Sequence, residues 1–327
     1  MDFVVQRMYV NAVVDFLSPF MKLYLSSPRG FCAGVIRAIQ TVESALAKWG
    51  PPIYVKHHIV HNRYVVNQLE EKGAIFIEDL NSVPEGSYLV YSAHGVSPQV
   101  RAVAKERNLK EIDATCGLVT RVHSAAKRFA AKNYHILLIG HRNHVEIQGT
   151  AGEVLGNVTI IESSKEVETL HFSSEQKLFY LTQTTLSLID VEKIVYALQK
   201  KYPWIETLPS SSICYATTNR QLALQQIVQK TQMIIVVGDP LSSNSNRLRE
   251  LGERGGIPSY LINSSQEIHP DWFHNIELIG LTAGASTPES IVQNCIARLQ
   301  ELGVREIEEI SYAKENIIFQ LPKEVTA

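Results

Sequence analysis

Short β-branched and aromatic runs alternate with amphipathic stretches along almost the entire chain, and this alternation restricts the fold more than any other feature. "KLYLSS" (22–27) precedes "GVIRAIQTVESALAKWG" (34–50), "IYVKHHIV" (53–60) precedes "RYVVNQLEEKG" (63–73), and "YLVYSA" (88–93) precedes "SPQVRAVAKERN" (97–108). The order continues through "YHILLIG" (134–140), "KLFYLTQ" (177–183), "MIIVVGD" (233–239) and "IELIGLTA" (276–283), each with a helical stretch downstream. Strands separated by helices pair in parallel, so the expected fold class is α/β. Asn62 is placed to cap one helix, and Ser97-Pro98 to start another. "IYVKHHIV" reads as one strand, which puts His57 and His58 inside it.

Three of the four cysteines repeat one context. "GFCAGVIRA", "DATCGLVTR" and "SICYATTNR" place Cys32, Cys116 and Cys214 at helix starts, 84 and 98 residues apart, and Arg37, Arg121 and Arg220 follow within two turns. Self-similarity at this period predicts three related modules. Open α/β sheets collect ligands beyond the carboxyl ends of their strands, so three such modules can aim their cysteines at one centre. The positive end of a helix favours the thiolate, which is the metal-binding form. A lone cysteine is more often a small buried hydrophobe. Cys295, inside "IVQNCIARL", is read that way.

Histidines and hydroxyls cluster at the same kind of position. His61 ("IVHNR"), His94 ("YSAHGVSP"), and His141 and His144 ("IGHRNHVE") stand at strand ends or loop starts. There they can donate to an anion, and a protonated ring would add charge. The loops "TQTTLS" (182–187), "SSNSNRL" (242–248) and "TAGASTPES" (282–290) each join a strand to a helix and expose backbone N–H groups beside Ser, Thr and Asn. Capping explains any one of them, but together with the histidines they point to a phosphate site. Glu146, read as part of the loop after "YHILLIG", is a candidate general acid. No P-loop or dinucleotide fingerprint is present.

Composition narrows the partners. A net charge of −2, with 45% hydrophobic and 20% charged residues, gives no general attraction to nucleic acid or a membrane. An anionic ligand must therefore be held by a local site. Four cysteines without a C-x-x-C pair argue against a disulfide framework and favour a reducing compartment, the cytoplasm. No stretch approaches the ~20 apolar residues of a membrane helix. Residues 1–20, broken by Asp2, Arg7 and Asp15, are expected to be an extension outside the fold rather than a signal peptide.

In order from about residue 22 to 300, "SPRGFCAGVIRAI", "VHNRYVV", "SAHGVSP", "DATCGLVTRVH", "GHRNHVEIQGT", "TQTTLS", "ICYATTNRQ", "SSNSNRL" and "GASTPE" resemble the IspH/LytB family of 4-hydroxy-3-methylbut-2-enyl diphosphate reductases. The resemblance implies three pseudo-equivalent α/β modules in a cloverleaf around a central [4Fe–4S] cluster, one per chain. Cys32, Cys116 and Cys214 match the family's ligands, which leaves one iron open to the substrate's hydroxyl end. By the same resemblance, His61, His94, His144, Ser242, Ser243, Asn244 and Ser286 hold the diphosphate. Glu146 matches the proton donor and Thr184 the neighbour that positions the hydroxyl. The implied reaction is two-electron reductive dehydroxylation to isopentenyl and dimethylallyl diphosphate, the last step of the non-mevalonate isoprenoid pathway. Flavodoxin or ferredoxin would be the electron donor. Gly117 and Val145 stand where the family usually has proline.

The expected boundaries are modules at 21–115, 116–212 and 213–306, with a C-terminal tail at 307–327. Two other readings use the same residues. One is a non-redox hydro-lyase with a three-cysteine cluster as Lewis acid, and the other a three-cysteine zinc hydrolase or metal-storage protein.

Overall fold

The computed structural model describes residues 20–326, so the expected extension lies, apart from Phe20, outside the described residues. The chain opens with β1 (Met21–Ser27) and α1 (Ala33–Trp49). Next come β2 (Ile53–Lys56), α2 (Arg63–Glu71), β3 (Ala74–Ile77), β4 (Tyr88–Tyr91), α3 (Pro98–Glu106) and β5 (Lys110–Asp113). A second series follows: α4 (Gly117–Ala130), β6 (His135–Ile139), α5 (Val145–Gly152), β7 (Val158–Ile161), α6 (Ser164–Glu168), β8 (Leu178–Thr182), α7 (Leu188–Lys201) and β9 (Glu206–Thr207). The third is α8 (Tyr215–Val228), β10 (Met233–Val237), α9 (Ser243–Arg254), β11 (Ser259–Ile262), β12 (Leu278–Ala283), α10 (Glu289–Glu301) and β13 (Val304–Ser311), before a short α11 (Lys323–Thr326).

These strands form three sheets, ordered β3-β2-β4-β5, β7-β6-β8-β9 and β11-β10-β12-β1-β13. Every pairing is parallel. The common order is second, first, third, fourth. In the last sheet the fourth place is taken by β1, with β13 outside it. The expected boundaries grouped residues 21–27 with the first module, whereas strand pairing puts them in the third sheet. Burial gives the reason. A parallel sheet is covered on both faces, and Met21, Leu23 and Leu25 join Ile279, Leu281 and Val304 in one core. β13 likewise continues past the expected tail boundary at 307 and forms the sheet edge.

Each sheet carries apolar side chains on both faces. In the first, Val55, Val90 and Ile112 pack on one side and Leu89 and Tyr91 on the other. With both faces covered by helices, only the loops at the strand ends can converge on a ligand. Two local expectations fail. "IYVKHHIV" stops being a strand at Lys56, because His57 turns at a φ of 62° and sets its Nδ1 2.5 Å from Glu78. Glu146, expected in a loop, lies in a helix that spans Val145–Gly152. No helix among the described residues is long and apolar enough to cross a membrane.

Candidate active site

Each sheet sends three chain segments from its carboxyl edge to one cavity. After the first strands β2, β6 and β10 come His61, His144, and Ser242 to Asn244. After the third strands β4, β8 and β12 come His94, Thr184 and Ser286. After the fourth strands β5, β9 and β1 come Cys116, Cys214 and Cys32. All these residues and Glu146 line the same hollow, with an empty volume of about 770 Å³ including its open mouth. The cysteines occupy the N-cap positions of α4, α8 and α1. Their backbone N–H groups donate in register to the third-strand loops: Cys32 to the Ala285 carbonyl (3.1 Å), Cys116 to Ala93 (3.0 Å) and Cys214 to Thr184 (3.0 Å).

This register shows what sequence reading passed over. "SAH", "QTT" and "GAS" are equivalent, so Thr185 occupies the place of His94 and Ser286, and it too faces the cavity. Aligning the three loops would have found it. Phe319 from the C-terminal tail also lines the cavity. Its ring stands close to Gly117, where a Cβ would meet it at 3.1 Å.

Cys116 and Cys214 are not acidified as their helix positions led us to expect. Burial pushes Cys116 up to about 11 and Cys214 up to about 12, and repulsion from the neighbouring cysteines adds to this. The helix-start donors act in the opposite direction and lose. Among them, the Thr217 N–H and hydroxyl lie 3.3 and 3.0 Å from the Cys214 sulfur. Desolvation outweighs a few N–H donors in so enclosed a place. Thiolates here call for a positive centre. Gly34 lets the Cys116 sulfur approach the start of α1 beside Cys32: a Cβ there would sit 2.6 Å from the Cys116 sulfur and 3.9 Å from that of Cys32. Among the described residues no three His, Cys, Asp or Glu side chains reach single-ion spacing. Cys295 is buried in the third sheet's core, as expected.

The same cavity holds a group of polar atoms without partners. The His61 ring stacks 4.2 Å from His94 and 5.3 Å from His144. His144 caps α5, and its Nδ1 accepts the Glu146 N–H at 3.2 Å. That fixes its proton on Nε2, which is buried with no acceptor. The His61 Nε2 and both amide atoms of Asn244 are equally unpartnered. Buried polar atoms are seldom left so, and here they describe an anion site. The starts of α5 and α9 add their dipoles. Burial, reinforced by repulsion among the rings, holds His61 down to about 4, His144 to about 3 and His94 well below the usual value. These rings are therefore neutral donors, without the added charge that protonation would bring. His141 stays apart, 3.7 Å from Glu162 and outside this cavity.

Glu146 sits in the first turn of α5 rather than in a loop, and it is 2% exposed. Thr184 donates to it twice, from its backbone N–H and its hydroxyl. Burial raises the carboxyl to about 7 despite these bonds. Helix formation starts at Val145 without the proline usual in the family the motifs resemble.

Comparison with known proteins agrees with this arrangement. The family model described as LytB protein matches residues 23–300. The chain is 66% identical over 305 residues to the 4-hydroxy-3-methylbut-2-enyl diphosphate reductase of Protochlamydia amoebophila (strain UWE25), covering 93% of this chain and 97% of the relative. It is 58% identical to the protein of that name from Chlamydia pneumoniae, over 93% and 98% of the two chains. The solved structure of the E-1-hydroxy-2-methyl-but-2-enyl-4-diphosphate reductase from Plasmodium falciparum superposes with a TM-score of 0.92 at 48% identity, over 94% of this chain and 98% of that one. A second, described as the terminal enzyme of the non-mevalonate pathway, gives a TM-score of 0.62 at 28% identity, over 86% of this chain and 100% of that one. The chain belongs to the LytB family.

Proposed function

We propose that this chain is an oxidoreductase that converts 4-hydroxy-3-methylbut-2-enyl diphosphate, with two electrons and two protons, into isopentenyl or dimethylallyl diphosphate and water. The observation that carries the reading is the meeting, in one cavity, of three thiols, a set of unpartnered donors and a buried protonatable carboxyl. The relatives' names supply the substrate.

Cys32, Cys116 and Cys214 would hold one [4Fe–4S] cluster; all three line one cavity, and Gly34 lets the Cys116 sulfur come close to that of Cys32. When bound, such a cluster supplies electrons and, at the iron lacking a thiolate, a Lewis acid. His61, His94, His144 and Asn244 donate to the diphosphate, with Ser242, Ser243 and Ser286 around it. This grip fixes a small flexible alcohol so that its hydroxyl end lies between the sulfurs and Glu146. Glu146 holds its proton near neutral pH and gives it to the departing oxygen. Thr184 orients that carboxyl and stabilises the carboxylate left behind. The enclosure keeps bulk water from the reacting end. Electrons come from a small carrier of the flavodoxin or ferredoxin kind, in the cytoplasm.

The test is turnover of the anaerobically prepared full chain with the substrate and a chemical one-electron reductant. Both isoprenoid diphosphates should form, with two electrons consumed per product. Loss of water without electron consumption would favour the hydro-lyase instead, and no product would refute the reading.

A further inference from the structure

The three arginines that follow the cysteines make a closed ring. Arg37, on α1 after Cys32, donates Nη1 to the Thr115 carbonyl at 3.0 Å and Nη2 to that of Asp113 at 3.1 Å, just before Cys116. Arg121, on α4 after Cys116, donates Nη2 to the Ser211 carbonyl at 2.8 Å and to Ser210 Oγ at 2.9 Å, just before Cys214. Arg220, on α8 after Cys214, donates Nη2 and Nε to the Gly30 carbonyl at 2.7 and 3.2 Å, just before Cys32. Each cysteine's helix thus holds the approach to the next cysteine, and the third returns to the first.

None of the three arginines lines the cavity, so they do not touch substrate. Nearly all their acceptors here are backbone carbonyls, which fix the chain itself rather than a side chain. A planar guanidinium that reaches two or three acceptors at once sets orientation as well as distance. The C-terminal tail rests on two of the three. Glu315 pairs with the fully buried Arg220 at 3.1 Å, and the Gln320 carbonyl accepts from Arg37 at 2.6 Å. Arg121 has no such support and is exposed.

We propose that Arg37, Arg121 and Arg220 are positioning residues that set the spacing of the three sulfurs, each by fixing the segment that presents the next cysteine. This rests on the reading that the cysteines share one cluster. The ring has a direction. Losing one arginine loosens the following cysteine and leaves the cysteine on its own helix in place.

Arg121 is the residue to change, because its exposure spares the fold. The cluster-loaded full chain, its Arg121→Met and Arg121→Lys variants, and Arg37→Met would be challenged with an iron chelator and iodoacetamide. Alkylation at each cysteine would be followed by peptide mass spectrometry, beside iron release and the denaturant midpoint. Arg121→Met should speed alkylation of Cys214 about ten-fold, leave Cys116 at the parent rate and keep the midpoint. Lysine, which cannot fork, should fall between. Arg37→Met should move the effect to Cys116. Equal acceleration at all three cysteines, acceleration at the cysteine on the altered helix, or no change would each overturn the ring while leaving the cluster reading intact. Parent cysteines that label at once with no iron to release would overturn the cluster reading and the ring with it.

Discussion

Thr184 gives both of its donors to Glu146: the backbone N–H reaches Oε1 at 2.7 Å and the hydroxyl reaches Oε2 at 2.8 Å. The two bonds favour the carboxylate, yet burial dominates and leaves the group at about 7 instead of the ordinary 4.5. The carboxyl therefore exchanges its proton near neutral pH and has two donors ready when the proton leaves.

This has a sign that can be measured. A folded pKa above the unfolded one contributes stability that is complete below about 4.5 and is lost as pH rises to about 7. Glu146→Gln should therefore stabilise the protein at pH 8, by at most about 3 kcal/mol. It should also lower kcat by about 10²–10⁴-fold with KM little changed. Parent kcat should decline above pH about 7. Denaturant titrations at pH 5 and 8 and a kcat profile check both parts.

Thr184→Val removes the hydroxyl bond and keeps the backbone one. The carboxylate loses a donor, so the acid becomes weaker. The falling limb of the pH profile should move to higher pH, with kcat reduced about ten-fold. A profile that keeps its position would mean that the hydroxyl does not act on Glu146.

Gly34→Ala places a methyl 2.6 Å from the Cys116 sulfur and 3.3 Å from its Cβ. Something must shift, and the end of the contact that borders the cavity is the thiol. Iron bound per chain should fall sharply while the circular dichroism spectrum is retained. Cys32→Ser, Cys116→Ser and Cys214→Ser should each abolish turnover, and Cys295→Ser should not. Iron analysis and the activity assay read all five.

The three histidines are neutral in the empty site because burial holds them low. A bound diphosphate stabilises the protonated rings and raises their pKa values. Binding at pH 7 should thus take up protons, and affinity should rise as pH falls through the bound-state values toward the free-state ones. Calorimetry with inorganic diphosphate in buffers of different ionisation enthalpy measures the uptake. His61→Gln should show less of it and bind about ten-fold more weakly.

The parts of this fold that are local in sequence were legible. Each cysteine with the arginine that follows five or six residues later forms a short string, and each strand-to-helix change is marked by period and caps. What depends on distant contact was not. Nothing in "MKLYLSS" says that β1 pairs with β12, some 250 residues away. The helix of Glu146 was hidden because "VEIQGTAG" carries two glycines, and its last one is needed for packing: a Cβ on Gly152 would lie 2.4 Å from Ser97 Cβ. Phe319 sits in a tail without periodicity. The arginines were visible as a repeat, but their reach from one module to the next was not.

The most direct test is ⁵⁷Fe Mössbauer spectroscopy of the anaerobically prepared protein, with and without substrate. Three thiolates around a [4Fe–4S] cluster predict three irons of one kind and one distinct iron, and only the distinct iron should change when substrate is added. Four equivalent irons that ignore the substrate, or no cluster at all, would contradict the account.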